Sequence, residues 1–499
     1  MKHQIITEKQ PFDGARVVAV IKGAPLAKHA FVKELNPADR AYFVAISKSF
    51  TGEFLSCEKL ALPSSPERAI FLIGLGEKKK YTLRKTRLAA RKCLATVKGS
   101  RIQKFSVGID DWACIGVTTI KLVETLATNF ELSNYEFRKY KEQPKDGWSD
   151  VTDIAYRVSR QADARTLSVA VGTGALIGEY TNVARELSNT PGGDMTPRHL
   201  AQEARRIGKK SSAQLKVSVF GEERMKELGM GAILGVSRGS KEEAQFIVLE
   251  YRGAPATSKP FVFLGKGITF DSGGLHLKPS NSMDEMHMDM SGGAAVIAAL
   301  GALAALKVKV HCIGIVPAVE NMPSGESYRP GDVLKSMSGK TIEVVSPDAE
   351  GRVVLADALT YAKRFDPRMV IDLATLTGAC VVALGHHASA ILTPDQKLEG
   401  SLRVAGESSG EYVWPLPLWE EYEADIKGTV GDILNCGKNR EAGTINGAQF
   451  LHQFAKDFEH WAHIDIASTM TTAPDQHLGK GASGSGTGLL IELVRAATR

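Results

Sequence analysis

Gly265-Lys266-Gly267-Ile268-Thr269-Phe270-Asp271-Ser272-Gly273-Gly274 directly follows the apolar run Phe261-Val262-Phe263-Leu264. A short apolar run ended by glycine reads as a buried strand, and glycines let backbone approach a ligand closely. Lys278 comes next, then Met286-His287-Met288-Asp289-Met290, and later Pro347-Asp348-Ala349-Glu350-Gly351-Arg352. Four carboxylates, two lysines and an arginine thus fall beside apolar runs, where a solvated surface would not need them. That concentration marks a site.

Outward from it, apolar runs alternate with helical patterns. Leu215 to Phe220, Phe246 to Leu249, Val310 to Val316, Met369 to Leu373 and His463 to Ile466 read as strands, with helices at Ala294 to Leu306 and Val354 to Arg364. Such alternation predicts a mostly parallel sheet covered on both faces, an α/β/α domain whose sites lie at the carboxyl ends of strands. Upstream, Val17 to Ile21 and Ala69 to Gly74 read as buried strands of a separate N-terminal α/β domain. A polar stretch over Lys141 to Asp153 reads as a linker, with a linker helix expected over Ile154 to Ala164 and another helix over Ala175 to Leu187. The expected domains are therefore 1–165 and 166–499.

With 499 residues, 43% of them hydrophobic, the chain can bury more than one core. Its six cysteines are far apart and form no CxxC pair, which points away from a disulfide framework or thiolate zinc site and towards a reducing cytoplasm. The longest apolar stretch, Ala294 to Leu306, is thirteen residues, against the roughly 20 needed to cross a bilayer, so no membrane partner is expected. The net charge of +6 is local: Lys78 to Lys104 holds eleven lysines and arginines and no acid. There a helix over Thr82 to Lys98 places Leu83, Ala90, Leu94 and Val97 on one side, with Arg84, Arg91 and Lys98 beside them. It reads as a solvated helix docked by its apolar stripe, with nucleic-acid binding as the alternative.

Asp348 and Glu350 are two apart, so in an extended segment both project to one face and repel unless a cation sits between them. With Asp271 and Asp289 they suit hard or borderline divalent metals. His276 and His287 lack metal-ligand spacing and read as ordinary core or surface residues. Lys266 could bind an anion as an ammonium or a metal as a neutral amine. Gly265-Lys266-Gly267 is also compatible with a phosphate-binding turn, although the GxxxxGK[ST] run is incomplete.

These motifs, with Met283-Asp284-Glu285-Met286, Tyr328-Arg329-Pro330-Gly331-Asp332, Leu373-Ala374-Thr375-Leu376-Thr377-Gly378-Ala379 and Ile464-Asp465-Ile466-Ala467, resemble the signature of the leucyl (cytosol) aminopeptidase family over about residues 165 to 490. The resemblance implies a metallo-exopeptidase. Lys266, Asp271, Asp289, Asp348 and Glu350 match its ligands for two divalent metals, Mn2+ or Zn2+, with Asp271 and Glu350 bridging. Lys278 and Arg352 match its catalytic residues, Arg352 holding a bicarbonate ion. Such a metal pair, about 3.5–4 Å apart, polarises the scissile carbonyl, activates a water and binds the substrate's α-amine. Met286, Thr375, Gly378, Ala467 and Met470 match the substrate-binding pocket for the first side chain, and their apolar character implies leucine- or methionine-like residues. The resemblance further implies a homohexamer acting on peptides.

Two stretches depart from the family pattern. Ser346-Pro347 stands where Asn-Thr is usual, and Ala482-Ser483-Gly484-Ser485-Gly486-Thr487-Gly488 replaces an Ala-Thr-Gly-Arg-Pro pattern. Pro347 removes a backbone N–H and favours extended geometry at Ser346, which stands in for a side-chain amide.

Overall fold

The computed structural model describes residues 1–8, 10–62, 69–159, 164–255, 257–439 and 441–498. They form two compact units, Met1–Glu179 with Ala473–Lys480, and Tyr180–Thr472 with Gly481–Arg499. Both are α/β. In the first, β1 (Lys2–Thr7), β2 (Ala15–Ile21), β3 (Cys57–Leu60), β4 (Ile70–Gly76), β5 (Lys104–Gly108) and β6 (Asp153–Val158) make one sheet in the order β1-β6-β5-β2-β4-β3. Only β3 runs antiparallel to its neighbour.

The linker helix expected over Ile154 to Ala164 is corrected here: Asp153–Val158 is strand β6, and the helix runs Ala164–Asn189. Ile154, Ala155, Tyr156 and Val158 are all buried between β1 and β5, whose ladders satisfy the β6 backbone on both sides. Consecutive apolar residues at the middle of a parallel sheet carry no alternation, so a short run of them does not separate strand from helix.

The basic helix spans Leu83–Gly99 and buries Ala90, Leu94 and Val97, as its apolar stripe predicts. Lys98 and Arg91 are engaged within the unit. Lys98 Nζ lies 3.1 Å from both Glu136 and Asp150, and Arg91 Nε donates to Asn129 Oδ1 at 2.7 Å. These pairings give no support to nucleic-acid binding.

The second unit contains β7 (Leu215–Phe220), β8 (Gln245–Arg252), β9 (Phe261–Gly265), β10 (Gly267–Asp271), β11 (His311–Asn321), β12 (Val333–Lys335), β13 (Thr341–Glu343), β14 (Met369–Ala374), β15 (Ser389–Leu392), β16 (Val413–Pro415), β17 (Ile433–Leu434) and β18 (Trp461–Asp465). Its main sheet has the order β16-β15-β18-β14-β9-β11-β8-β7, with β10 continuing alongside β11. The central strands β18, β14, β9 and β11 are parallel, β8 runs antiparallel to both β11 and β7, and β15 is antiparallel to β18 but parallel to β16.

Both faces of the sheet are covered. Ile313 and Ile315 of β11 join a core with Val353, Val354 and Leu355 of helix Glu350–Ala362. Gly314, between them, faces Val296 and Leu300 of helix Ser291–Ala305 on the other side. A window within Ser280–Ala305 is apolar enough to cross a membrane by length and composition, yet 94% of it is buried inside the protein. Gly292 lets this helix approach very closely, since a Cβ there would lie 2.2 Å from the Leu373 carbonyl oxygen. All six cysteines are free.

Candidate active site

Because β9, β11, β14 and β18 are parallel, their carboxyl ends gather on one edge of the sheet, where loops from different strands converge. Lys266 sits at the break between β9 and β10, Asp271 ends β10, Asn321 ends β11 opposite Asp271, and Thr375 follows β14. Asp289 precedes helix Ser291–Ala305, and Glu350 opens helix Glu350–Ala362. Asp348 and Glu350 do not lie on one extended segment as expected. Asp348 is in the turn before the helix and Glu350 is its first residue, where the helix dipole favours a carboxylate. One ligand oxygen from each of Asp271, Asp348 and Glu350 nevertheless falls within 4.8 Å of the others.

The two lysines thread these acids together. Lys266 Nζ lies 2.8 Å from Asp289 Oδ1 and 2.9 Å from Glu350 Oε1, and donates to the Thr375 carbonyl at 2.9 Å. Lys278 Nζ bridges Asp271 at 2.7 Å and Asp348 at 2.6 Å. Room for the Lys266 stem comes from Gly351, where a Cβ would stand 2.6 Å from Lys266 Cε. Thr375 Oγ1 donates to Asp289 Oδ1 at 2.6 Å, which ties the loop after β14 into the centre.

Burial raises the pKa of Asp289, Glu350 and Asp348, and the nearby Asp271 carboxylate adds to the effect. Burial disfavours the ammonium of Lys266, but the carboxylates around it outweigh that and raise its pKa; Lys278 behaves alike. An acidic cluster buried at Asp271, Asp289 and Glu350 and open to solvent at Asp348, with cations on both sides, is a donor set a divalent metal fits: hard oxygens, with Lys266 as an available amine. Arg352 is 6% exposed and its Nε has no hydrogen-bond partner among the described residues.

Of the residues expected at the pocket, Thr375 touches Asp289 directly, and Met286 lies three residues before Asp289. Gly378 opens the helix after β14, while Ala467 and Met470 follow the adjacent strand β18. These two loops meet on a residue to which the sequence reading gave no role of its own. The fully buried Asp465 accepts from Leu376 N at 3.0 Å and Thr377 Oγ1 at 2.6 Å on one loop, and from Ala467 N at 3.1 Å on the other. Asn321 was also missed. Its Nδ2 donates to Asp271 Oδ1 at 2.8 Å and to the Pro347 carbonyl at 3.0 Å. The available signal was a lone amide closing a long apolar strand.

Around Pro347 the backbone is fixed: its carbonyl also accepts from Tyr328 Oη at 2.6 Å, and Asn435 Nδ2 donates to the Ser346 carbonyl at 2.6 Å. The glycine-rich departure near the C-terminus is a helix entrance. Glu411 accepts from the amides of Gly486, Gly488 and Leu489 at the start of helix Thr487–Ala497.

A mostly parallel sheet with carboxylates and lysines gathered at its strand ends defines a candidate metal centre. Residues 182–491 match the catalytic domain of the cytosol aminopeptidase family, and residues 17–144 match that family's N-terminal domain. A probable cytosol aminopeptidase of Geobacter sp. (strain M21) is 42% identical over 457 residues, 91% of each chain. One from Nitrosococcus oceani is 39% identical over 502 residues, covering 98% of this chain and 96% of its own. The solved structure titled "Bottromycin maturation enzyme BotP in complex with Mn" aligns with a TM-score of 0.85 at 30% identity, covering 98% of this chain and 100% of that one. The chain belongs to the cytosol aminopeptidase family. It is a metallo-exopeptidase, an aminopeptidase acting on peptides.

Proposed function

We propose that the enzyme removes N-terminal residues with apolar side chains, leucine and methionine among them, through a two-metal centre held by Lys266, Asp271, Asp289, Asp348 and Glu350. The observation that carries this reading is the convergence of four carboxylates and Lys266 on one strand-end edge, with Thr375 bonded into it. Two divalent cations, manganese or zinc, would supply Lewis acidity there, polarising the scissile carbonyl, acidifying the attacking water and receiving the substrate's free α-amine. Lys278, 15% exposed, donates a hydrogen bond to the developing oxyanion. Arg352 would hold a bicarbonate ion, which would supply a base for the attacking water. The family resemblance supports a homohexamer, and the names of the relatives support a cytoplasmic location.

Hydrolysis of leucine anilide after chelator treatment tests the metal requirement. Activity is expected to return only when manganese, zinc or another divalent ion is restored. A folded, assembled protein inactive with every metal would overturn the proposal.

The pocket is tested separately. Ala467→Leu narrows it, and the preference for leucine over alanine at the substrate N-terminus is expected to fall by roughly tenfold or more in kcat/KM. An unchanged ratio would remove Ala467 from the pocket.

A further inference from the structure

We propose that His276, held in place by Ser346, is a specificity-determining residue that hydrogen-bonds an acceptor oxygen on the substrate residue after the scissile bond. The inference rests on the pocket reading above. Thr375, Asp289, Lys266 and Glu350 form one end of the centre, and Asp271, Lys278 and Asp348 form the other. With the first side chain in the pocket at the Thr375 end, the rest of the peptide leaves past Asp348.

One step outward from the Lys278–Asp348 pair stands a second pair. His276 precedes Lys278 by two residues, Ser346 precedes Asp348 by two, and His276 Nδ1 lies 2.9 Å from Ser346 Oγ. The two segments therefore run side by side, with the charged pair inside and the neutral pair at the rim. His276 is exposed, between Leu275 at 42% and Leu277 at 61% exposure.

The rim pair is preorganised. Asn435, fully buried, accepts from Val345 N at 2.7 Å and Ser346 N at 3.2 Å while donating to the Ser346 carbonyl. Ser346 Oγ accepts from the Asp348 amide at 3.3 Å and is hydrogen-bonded to His276 Nδ1 at 2.9 Å, and in the tautomer in which the serine hydroxyl is the donor the ring N–H is on Nε2. Nδ1 is the one His276 ring nitrogen engaged among the described residues. We take this tautomer, in which Nε2–H is a donor at the exit side of the centre, suited to a carbonyl or carboxylate oxygen. Ser346 in place of the family's usual asparagine is what makes this anchorage.

The test compares leucine 4-nitroanilide, which lacks a second-residue carbonyl, with leucyl-glycinamide and leucyl-glycine. In His276→Ala the kcat/KM ratio of the glycyl substrates to the anilide is expected to fall about three- to tenfold, the loss of one hydrogen bond, through KM and not kcat. His276→Gln, which keeps a donor, is expected to recover part of the ratio, and Ser346→Ala to show a smaller drop. A fall confined to leucyl-glycine identifies the terminal carboxylate as the acceptor; a fall in both identifies the carbonyl. Equal losses on all three substrates, or none, would overturn the proposal. If Ala467→Leu leaves first-residue preference intact, the pocket reading fails on its own terms, whatever His276→Ala does.

Discussion

Replacing Glu350 by alanine is expected to lower kcat/KM for leucine anilide by about a thousandfold or more, together with loss of bound metal. Glu350 is 1% exposed, lies 2.9 Å from Lys266 Nζ, and is within ligand reach of Asp271 and Asp348. Through these neighbours Glu350 connects the Lys266 end of the centre to the Lys278 end. Its removal would therefore split the donor set into two halves, neither able to hold a shared ion. Metal content by atomic absorption should fall alongside activity while circular dichroism stays unchanged. A Glu350→Ala enzyme that is both fully metallated and fully active would sink the two-metal assignment.

A second large effect is expected two turns along the same helix, this time on stability. Asp357 is fully buried and accepts from Ala232 N and Ile233 N at 3.0 Å each and from Met337 N at 2.7 Å. Asp357→Ala would strand three N–H groups, two of them buried and one partly buried, each worth about 1–3 kcal/mol, so a total loss of about 3–5 kcal/mol is expected after partial relaxation. The urea midpoint measures it. An unchanged midpoint would mean these amides find other acceptors.

The same residue gives stability a pH dependence. Burial pushes the Asp357 carboxyl up to about 7 despite its three N–H donors, while an unfolded aspartate titrates near about 3.9. Between those values the folded chain binds more protons than the unfolded one, so this group's contribution falls as pH rises through the window and levels off above it. Asp357→Asn, which cannot titrate, should flatten that part of the profile.

Much of the architecture was legible because buried parallel strands write themselves as apolar runs. Phe261 to Leu264 and Met369 to Leu373 appear as strands close to their expected limits, and so does the antiparallel edge strand at Leu215 to Phe220, where apolar and polar residues alternate. Both an N-terminal and a C-terminal α/β unit, the latter with a mostly parallel sheet, are present. The residues expected at the metal centre come together because each stands where a strand ends or a helix starts. Sequence did not disclose what depends on distant partners. Ala473–Lys480 joins the first unit although it is nearly the last segment of the chain. Lys98 looked solvated because Glu136 and Asp150, which neutralise it, lie far along the chain. Asn321, Asn435 and Asp465 are ordinary polar letters in sequence, and only their burial and bonding in three dimensions reveal that they position others.

Asp465 has one more implication. A single carboxylate gripping the loops after β14 and β18 makes them the two lips of one jaw, unable to open independently. Variation in either loop is then transmitted to the other through a shared pivot. With the pocket proposed above, a change that widens one wall is then expected to bring a readjustment of the other.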